Sequence, residues 1–174
     1  LSSKELEEML KDSDNYQEDN VQEVFQGSWE MSSQLKPILA TKNLGDCIGI
    51  LVYDPNKEIA FLSHSDISCF VQQNNNSSTI ISTHIIEIMR FLEKEEEEYN
   101  LKIVIFPGEY TNRKYIDAIY NTLARLHLKR IHISSVEEKT PFKDKRLPGA
   151  STVLFNSQTQ QISAYDEKID IMTK

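Results

Sequence analysis

Two residues in this chain have the side-chain chemistry for nucleophilic catalysis, and they bracket one short stretch. Cys47 precedes His64 by 17 residues. A thiol attacks only as thiolate, and a free thiol is mostly protonated near neutral pH. A neighbouring imidazole can take that proton or, as imidazolium, lower the thiol pKa. On spacing alone the commoner arrangement has the better claim, a small buried thiol and a strand-end histidine, because free cysteine is usually buried and inert.

The elements between them decide whether the two side chains can meet. Gly45-Asp46 marks one turn and Asp54-Pro55-Asn56 a second. Ile48 to Tyr53 is an apolar, partly β-branched run of strand length, and Ile59 to Leu62 is another. Segments 47–53 and 58–64 have matching lengths about a short turn. Pairing them as a hairpin brings Cys47 and His64 to the same end of a sheet, and no other feature of the fold need be assumed.

The wording of this stretch resembles the CheD family of protein-glutamine deamidases. That family carries Thr, then Leu-Gly-Ser-Cys with Cys the sixth residue after Thr, an apolar strand, Asp-Pro, a short strand and His. Here stand Thr41, Leu44-Gly45-Asp46-Cys47, Asp54-Pro55 and His64, with the Thr-to-Cys and Cys-to-His offsets in register. The catalytic domain of the cytotoxic necrotizing factor toxins uses a related Leu-x-Gly-Cys and His arrangement. The resemblance implies a nucleophilic Cys47, a basic His64, and a Thr41 hydroxyl that holds one tautomer of the imidazole, the orienting task of a third triad member. It covers roughly residues 35–165, weakly after residue 70. Three departures stand out. Ser65-Asp66-Ile67-Ser68 replaces a Leu-Pro pair, Phe106-Pro107-Gly108-Glu109 replaces a Gly-Gly-Ala stretch, and Asp46 replaces Ser beside the nucleophile. The first two bring a chemoreceptor substrate into question. The third places a carboxylate where it raises the thiol pKa unless it points away.

The resemblance implies amide hydrolysis on the side chain of a protein glutamine. Cys47 attacks the carboxamide carbon, His64 serves as base and then as acid, ammonia leaves, and water releases glutamate. The turn at Gly45 and Asp46 is the natural place for backbone N–H donors to the oxyanion. No cofactor and no metal is required, the partner is a protein bearing the target glutamine, and no substrate-binding residue is identified. The same apparatus serves a transglutaminase if an amine reaches the thioester. It also serves an amidohydrolase of N-terminal Asn or Gln, for which Asp66 or Glu109 could meet the α-amino group. A member that has lost activity and acts as an interaction module is the rival from another class. Its binding surfaces would be loop 72–78 and the acidic lead.

The 174 residues suit one domain with a sizeable core, at 39% apolar composition. The net charge of −8 argues against a nucleic-acid binder, although Lys143, Lys145 and Arg146 form a local basic patch. No apolar run is long enough for a membrane span, and no signal-peptide pattern opens the sequence. Two cysteines, Cys47 and Cys69, make neither a disulfide framework nor a metal site and suit a reducing compartment. The bacterial cytoplasm, or secretion as an effector or toxin into a host cytosol, is the expected setting.

Residues 1–34 read as an acidic helical extension, with Leu6, Met9 and Leu10 on one face and Val21, Val24, Phe25 and Trp29 at helical spacing. Residues 35–174 read as the catalytic domain, mixed α/β with largely antiparallel sheets flanked by two main helices. Leu35 to Thr41 is its first strand. One helix starts at Ser77 or Ser78 and carries Ile80, Ile81, Ile85, Ile88, Met89 and Leu92, with His84 at the edge of the core face. The other is capped by Thr111 and carries Ile116, Ile119 and Leu123. Strands are expected at Lys102–Phe106 and Arg130–Ser134, with a closing hairpin at Ser151–Phe155 and Gln161–Tyr165.

Overall fold

The structure, a computed structural model, describes residues 18–73, 79–139 and 152–165. It is mixed α/β, with eleven strands and two α-helices among the described residues. In chain order these are β1 (Val21–Glu23), β2 (Trp29–Met31), β3 (Ile38–Thr41), β4 (Ile48–Asp54), β5 (Ile59–Ser65), β6 (Phe70–Gln72), β7 (Ile80–Ser82), α1 (Thr83–Lys94), β8 (Tyr99–Pro107), α2 (Arg113–Arg125), β9 (Ile131–Glu138), β10 (Thr152–Asn156) and β11 (Ile162–Tyr165). A five-stranded sheet runs β2-β5-β4-β8-β9, a four-stranded sheet runs β1-β3-β10-β11, and β6 pairs with β7. Every pairing is antiparallel except β1 with β3 and β8 with β9.

The two-residue alternation of β4 shows how the layers form. Ile48, Ile50 and Val52 point to one face, where they pack with Ile85, Ile88 and Leu92 of α1 and Ile116 and Ile119 of α2. Leu51 points to the other, where it packs with Leu39, Val153 and Phe155 of the four-stranded sheet. The result is three layers, helices on sheet on sheet, with β4 and β5 in the middle. The β4–β5 turn is fixed by Asp54, whose Oδ1 accepts from the Asn56 amide at 2.8 Å and whose Oδ2 accepts from the Asn100 amide at 2.9 Å.

Several boundaries differ from the sequence reading. The helical spacing of Val21, Val24, Phe25 and Trp29 does not produce a helix. Val21–Glu23 is a strand beside β3 and Trp29–Met31 a strand beside β5, with a turn between them. Both are three-residue edge strands, and in so short a segment a tertiary pairing outweighs a three- and four-residue period. The described part of the predicted extension thus belongs to both sheets. Leu6, Met9 and Leu10, most of loop 72–78 and the basic patch at Lys143, Lys145 and Arg146 lie outside the described residues. The first helix begins later than expected. Ile80 and Ile81 pair with β6, and Ser82 is the N-cap, its hydroxyl accepting from the Ile85 amide at 3.3 Å. The cap of α2 is Asn112, not Thr111. α1 stops at Lys94, so that of the glutamates at 93–98 that would oppose its dipole only Glu93 lies within it.

Candidate active site

The β4–β5 register pairs Gly49 with His64 and Ile48 with Ser65. Cys47 is two residues before Gly49, so it is the diagonal neighbour of His64 and faces the same side of the sheet. Both lie in the layer between the two sheets, Cys47 in the core cluster that also holds Leu44, Leu51 and Phe106. Gly49 stands directly opposite His64. A Cβ there would meet the Phe106 Cβ at 3.4 Å, an ordinary van der Waals contact. Both residues are buried, Cys47 at 3% and His64 at 2% exposure.

Thr41 reaches His64 from the facing sheet. Its Oγ1 lies 2.8 Å from His64 Nδ1 and donates to the Val24 carbonyl at 2.7 Å. A hydroxyl has one proton. With that proton on Val24, Thr41 can only accept from the imidazole, so Nδ1 carries the hydrogen. Nε2 therefore holds the lone pair of the neutral ring, and it is buried with no hydrogen-bond partner. This tautomer follows from the hydrogen-bond network. Burial pushes the His64 pKa down, with Asp66 pulling weakly the other way. The ring is thus a neutral base near pH 7 with its basic nitrogen uncommitted. The sequence pointed to Thr41 but gave no sign that Val24 fixes the direction of its hydrogen bond.

Thr41→Val keeps the volume and removes both hydrogen bonds. It should slow Cys47 alkylation by iodoacetamide about tenfold or more, because part of the imidazole then adopts the other tautomer. Its signature is a change in the ring 15N shifts of His64, which Thr41→Ser should largely restore. Unchanged shifts would remove Thr41 from this role.

No hydrogen bond joins the thiol to the ring. Cys47 Sγ instead donates to Asp46 Oδ1 at 3.8 Å. Its pKa is pushed up to about 12, first by burial and then by the Asp46 and Asp66 carboxylates. Asp46 therefore acts on the thiol as the sequence led one to expect. The free protein holds Cys47 as a thiol beside a neutral base, not as a preformed ion pair.

The turn at 44–47 is clamped by the loop between β8 and α2. Cys47 N–H donates to Leu44 O at 2.5 Å, Gly108 N–H to Cys47 O at 3.1 Å, and Tyr110 N–H to Gly45 O at 2.8 Å. Thr111 Oγ1 donates to Cys47 O at 2.7 Å. Of the three turn amides, Cys47's is thus committed. Those of Gly45 and Asp46 make no hydrogen bond among the described residues. Gly108 and Thr111 are the supporting residues that the sequence reading missed. Pro107-Gly108 signals a turn in any protein, and nothing local tells which backbone the turn will touch.

A second thiol–imidazole pair lies on the opposite face of β5. Cys69 Sγ is 3.3 Å from His84 Nε2, and His84 Nδ1 is 2.7 Å from Ser63 Oγ. Ser63 and Ser65 hydroxyls are 2.7 Å apart. His84 is thus a buried polar hub between α1 and β5, a role beyond the core-edge position expected. This pair has no oxyanion donors to offer, since the Cys69 amide is bound to Asp66 O and the Phe70 amide to Ile67 O. That contrast makes Cys47 the candidate nucleophile and gives the Cys69 cluster a packing role.

Burial lowers the pKa of His84 as it does that of His64, against smaller opposing pulls from Glu87, the Gly27 carbonyl and Asp66. An unfolded chain then binds protons that the folded chain refuses. Stability should be full above the ordinary imidazole value of about 6.5 and should fall as pH drops below it. His84→Ala should cost about 1–3 kcal/mol in urea unfolding, through the hydroxyl and thiol left unpaired, and should flatten part of this pH dependence. A variant as stable as wild type would remove the hub.

Among the described residues no group of three or more His, Cys, Asp or Glu side chains is placed to hold a metal ion, and no helix is long and apolar enough to cross a membrane. No protein-family model matches the chain, and no curated protein matches it significantly.

Proposed function

We propose that this chain is a thiol-dependent amidohydrolase of the CheD-like type that converts a protein glutamine to glutamate. The observation that carries this reading is the buried, unpartnered Nε2 of His64 on the face that bears Cys47, with Nδ1 bound to Thr41. A buried polar atom without a partner is costly, and such sites are kept where chemistry uses them. The low exposure of Cys47 favours a slender group such as a side-chain carboxamide over folded backbone as the entering substrate.

The steps follow from the tautomer. Nε2 takes the Cys47 proton as sulfur attacks the carboxamide carbon. The Gly45 and Asp46 amides are the nearest uncommitted donors for the oxyanion. His64 returns the proton to the departing nitrogen, and ammonia leaves a thioester. Nε2 then removes a proton from water, which attacks the thioester, and collapse releases glutamate and restores the thiol.

The test is ammonia release from glutamine-bearing proteins, with the Gln-to-Glu change located by peptide mass, run in the presence and absence of a primary amine. Incorporation of the amine without hydrolysis would instead make the chain a transglutaminase. The interaction-module reading is favoured by one observation, the missing hydrogen bond between Cys47 and His64. A Cys47 that iodoacetamide modifies no faster with His64 than without it would favour that reading.

A further inference from the structure

We propose that the substrate glutamine lies in a cationic protein segment, with Asp46 and Asp66 as the carboxylates that receive a neighbouring lysine or arginine. This rests on the amidohydrolase reading and adds the substrate class to it.

The two carboxylates bracket the nucleophile. Asp46 is exposed and its Oδ1 is 3.8 Å from Cys47 Sγ. Asp66 follows Ser65, which pairs with Ile48 at the last rung of the hairpin, and its carboxylate charge is felt by the Cys47 thiol. Its Oδ1 accepts from the Ser68 amide at 2.9 Å, from the Ser68 hydroxyl and from the Cys69 thiol at 3.5 Å, while Oδ2 receives only the Gln26 side-chain amide at 3.3 Å. Those bonds, the Ser68 hydroxyl first, hold Asp66 below the usual carboxylate range, so it is charged at neutral pH. No lysine, arginine or histidine pairs with either carboxylate among the described residues.

Carboxylates alone would make no site. The independent observation is the orphaned, 2% exposed Nε2 of His64 beside Cys47, which calls for a bound group at this place. Once sulfur passes its proton to His64, thiolate and imidazolium offset each other, and the Asp46 and Asp66 charges are left with no paired cation among the described residues. A cation brought by the substrate balances them and draws the thiol toward thiolate when the substrate is in place. Ile67 at 58% and Tyr110 at 66% exposure adjoin Asp66 and the Gly45 turn, and offer apolar footing for a lysine or arginine stem.

The experiment compares methanethiosulfonate reagents carrying a trimethylammonium, a methyl or a sulfonate group, each scaled to its rate with free 2-mercaptoethanol, with modification at Cys47 located by peptide mass. The expected ratio of cationic to anionic rate is about thirtyfold above the free-thiol ratio at low salt, shrinking as salt rises. It should fall severalfold in Asp46→Asn and close to the free-thiol ratio in the Asp46→Asn, Asp66→Asn double variant. Asp46 is exposed, so its single variant decides the matter if the double variant does not fold. N-acetylated, C-amidated glutamine peptides flanked by lysine should release ammonia at least tenfold faster than those flanked by glutamate, the two blocking groups confining the charge to side chains. A free-thiol ratio, or a ratio indifferent to the variants, overturns the proposal while a His64-dependent reaction at Cys47 leaves the amidohydrolase reading standing. A reaction at Cys47 indifferent to His64→Ala overturns that reading and this proposal together.

Discussion

Cys47→Ala should abolish ammonia release, by about 10⁴-fold or more, while the folded protein stays intact. The loss follows from removal of the bond-forming atom in a mechanism that forms a covalent intermediate. The fold tolerates the change because only one sulfur leaves the core cluster that holds Leu44 and Phe106, a cost of about 1 kcal/mol. Cys69→Ala should keep activity, since that thiol sits on the other face and lacks oxyanion donors. His64→Ala should reduce the rate by about 10²–10⁴-fold, the usual worth of a positioned base. The pH dependence of Cys47 alkylation separates the roles. In the wild type the rate rises as His64 loses its proton, below the ordinary imidazole value because burial lowers its pKa, and then levels because the base is fully neutral. In His64→Ala the thiol must ionise unaided. With its pKa pushed up to about 12, the rate should climb through the alkaline range without a plateau. Identical profiles would mean that His64 does not serve Cys47.

Gly108→Ala is expected to damage stability and reactivity together. A Cβ on Gly108 would fall on the Gly45 carbonyl oxygen and lie 2.8 Å from that of Cys47. Both obstacles are backbone, so neither can rotate away, and the turn or the loop must shift. Overpacking of this kind costs about 1–3 kcal/mol, or several degrees in Tm for a chain of this size. The displaced turn carries the nucleophile and the uncommitted Gly45 and Asp46 amides. A shift of about 1 Å in such a group can lower a rate by about 10²-fold. Cys47 alkylation measured well below the new Tm should therefore fall far more than the change in folded fraction explains. Thr111→Val, which removes a hydrogen bond to the Cys47 carbonyl but adds no clash, should show a milder form of the same defect. A Gly108→Ala protein that melts and reacts like wild type would show that the clamp is unimportant.

These effects trace to features of unequal visibility in the sequence. The central hairpin could be read because its information is local. Ile48–Tyr53 has strand length and branching, Asp54-Pro55-Asn56 makes the turn, and equal arms bring Cys47 and His64 to one end. The helices could be read because their apolar stripes repeat over three turns, although their first residues moved when β7 took up Ile80 and Ile81 and the caps fell to Ser82 and Asn112. Val21 to Trp29 misled because three-residue strands leave too few residues to fix a period, and only pairing with β3 and β5 decides their form.

By itself, then, the sequence determined the α/β class, the hairpin, and the candidate triplet Thr41, Cys47 and His64. The tertiary structure decided what that triplet can do. Thr41 stands on one sheet and His64 on another, so their hydrogen bond exists only once the sheets stack, and its direction depends on a carbonyl at Val24, 17 residues from Thr41. The division of the two thiols likewise depends on which face of β5 each one meets, a period-2 consequence of register. So does the clamp of Gly108 and Thr111 on the Cys47 turn, which unites residues more than 60 positions apart. Local propensity specifies strands and turns. Hydrogen-bond direction, tautomer and the balance of charge at Cys47 are properties of groups that only packing brings into contact.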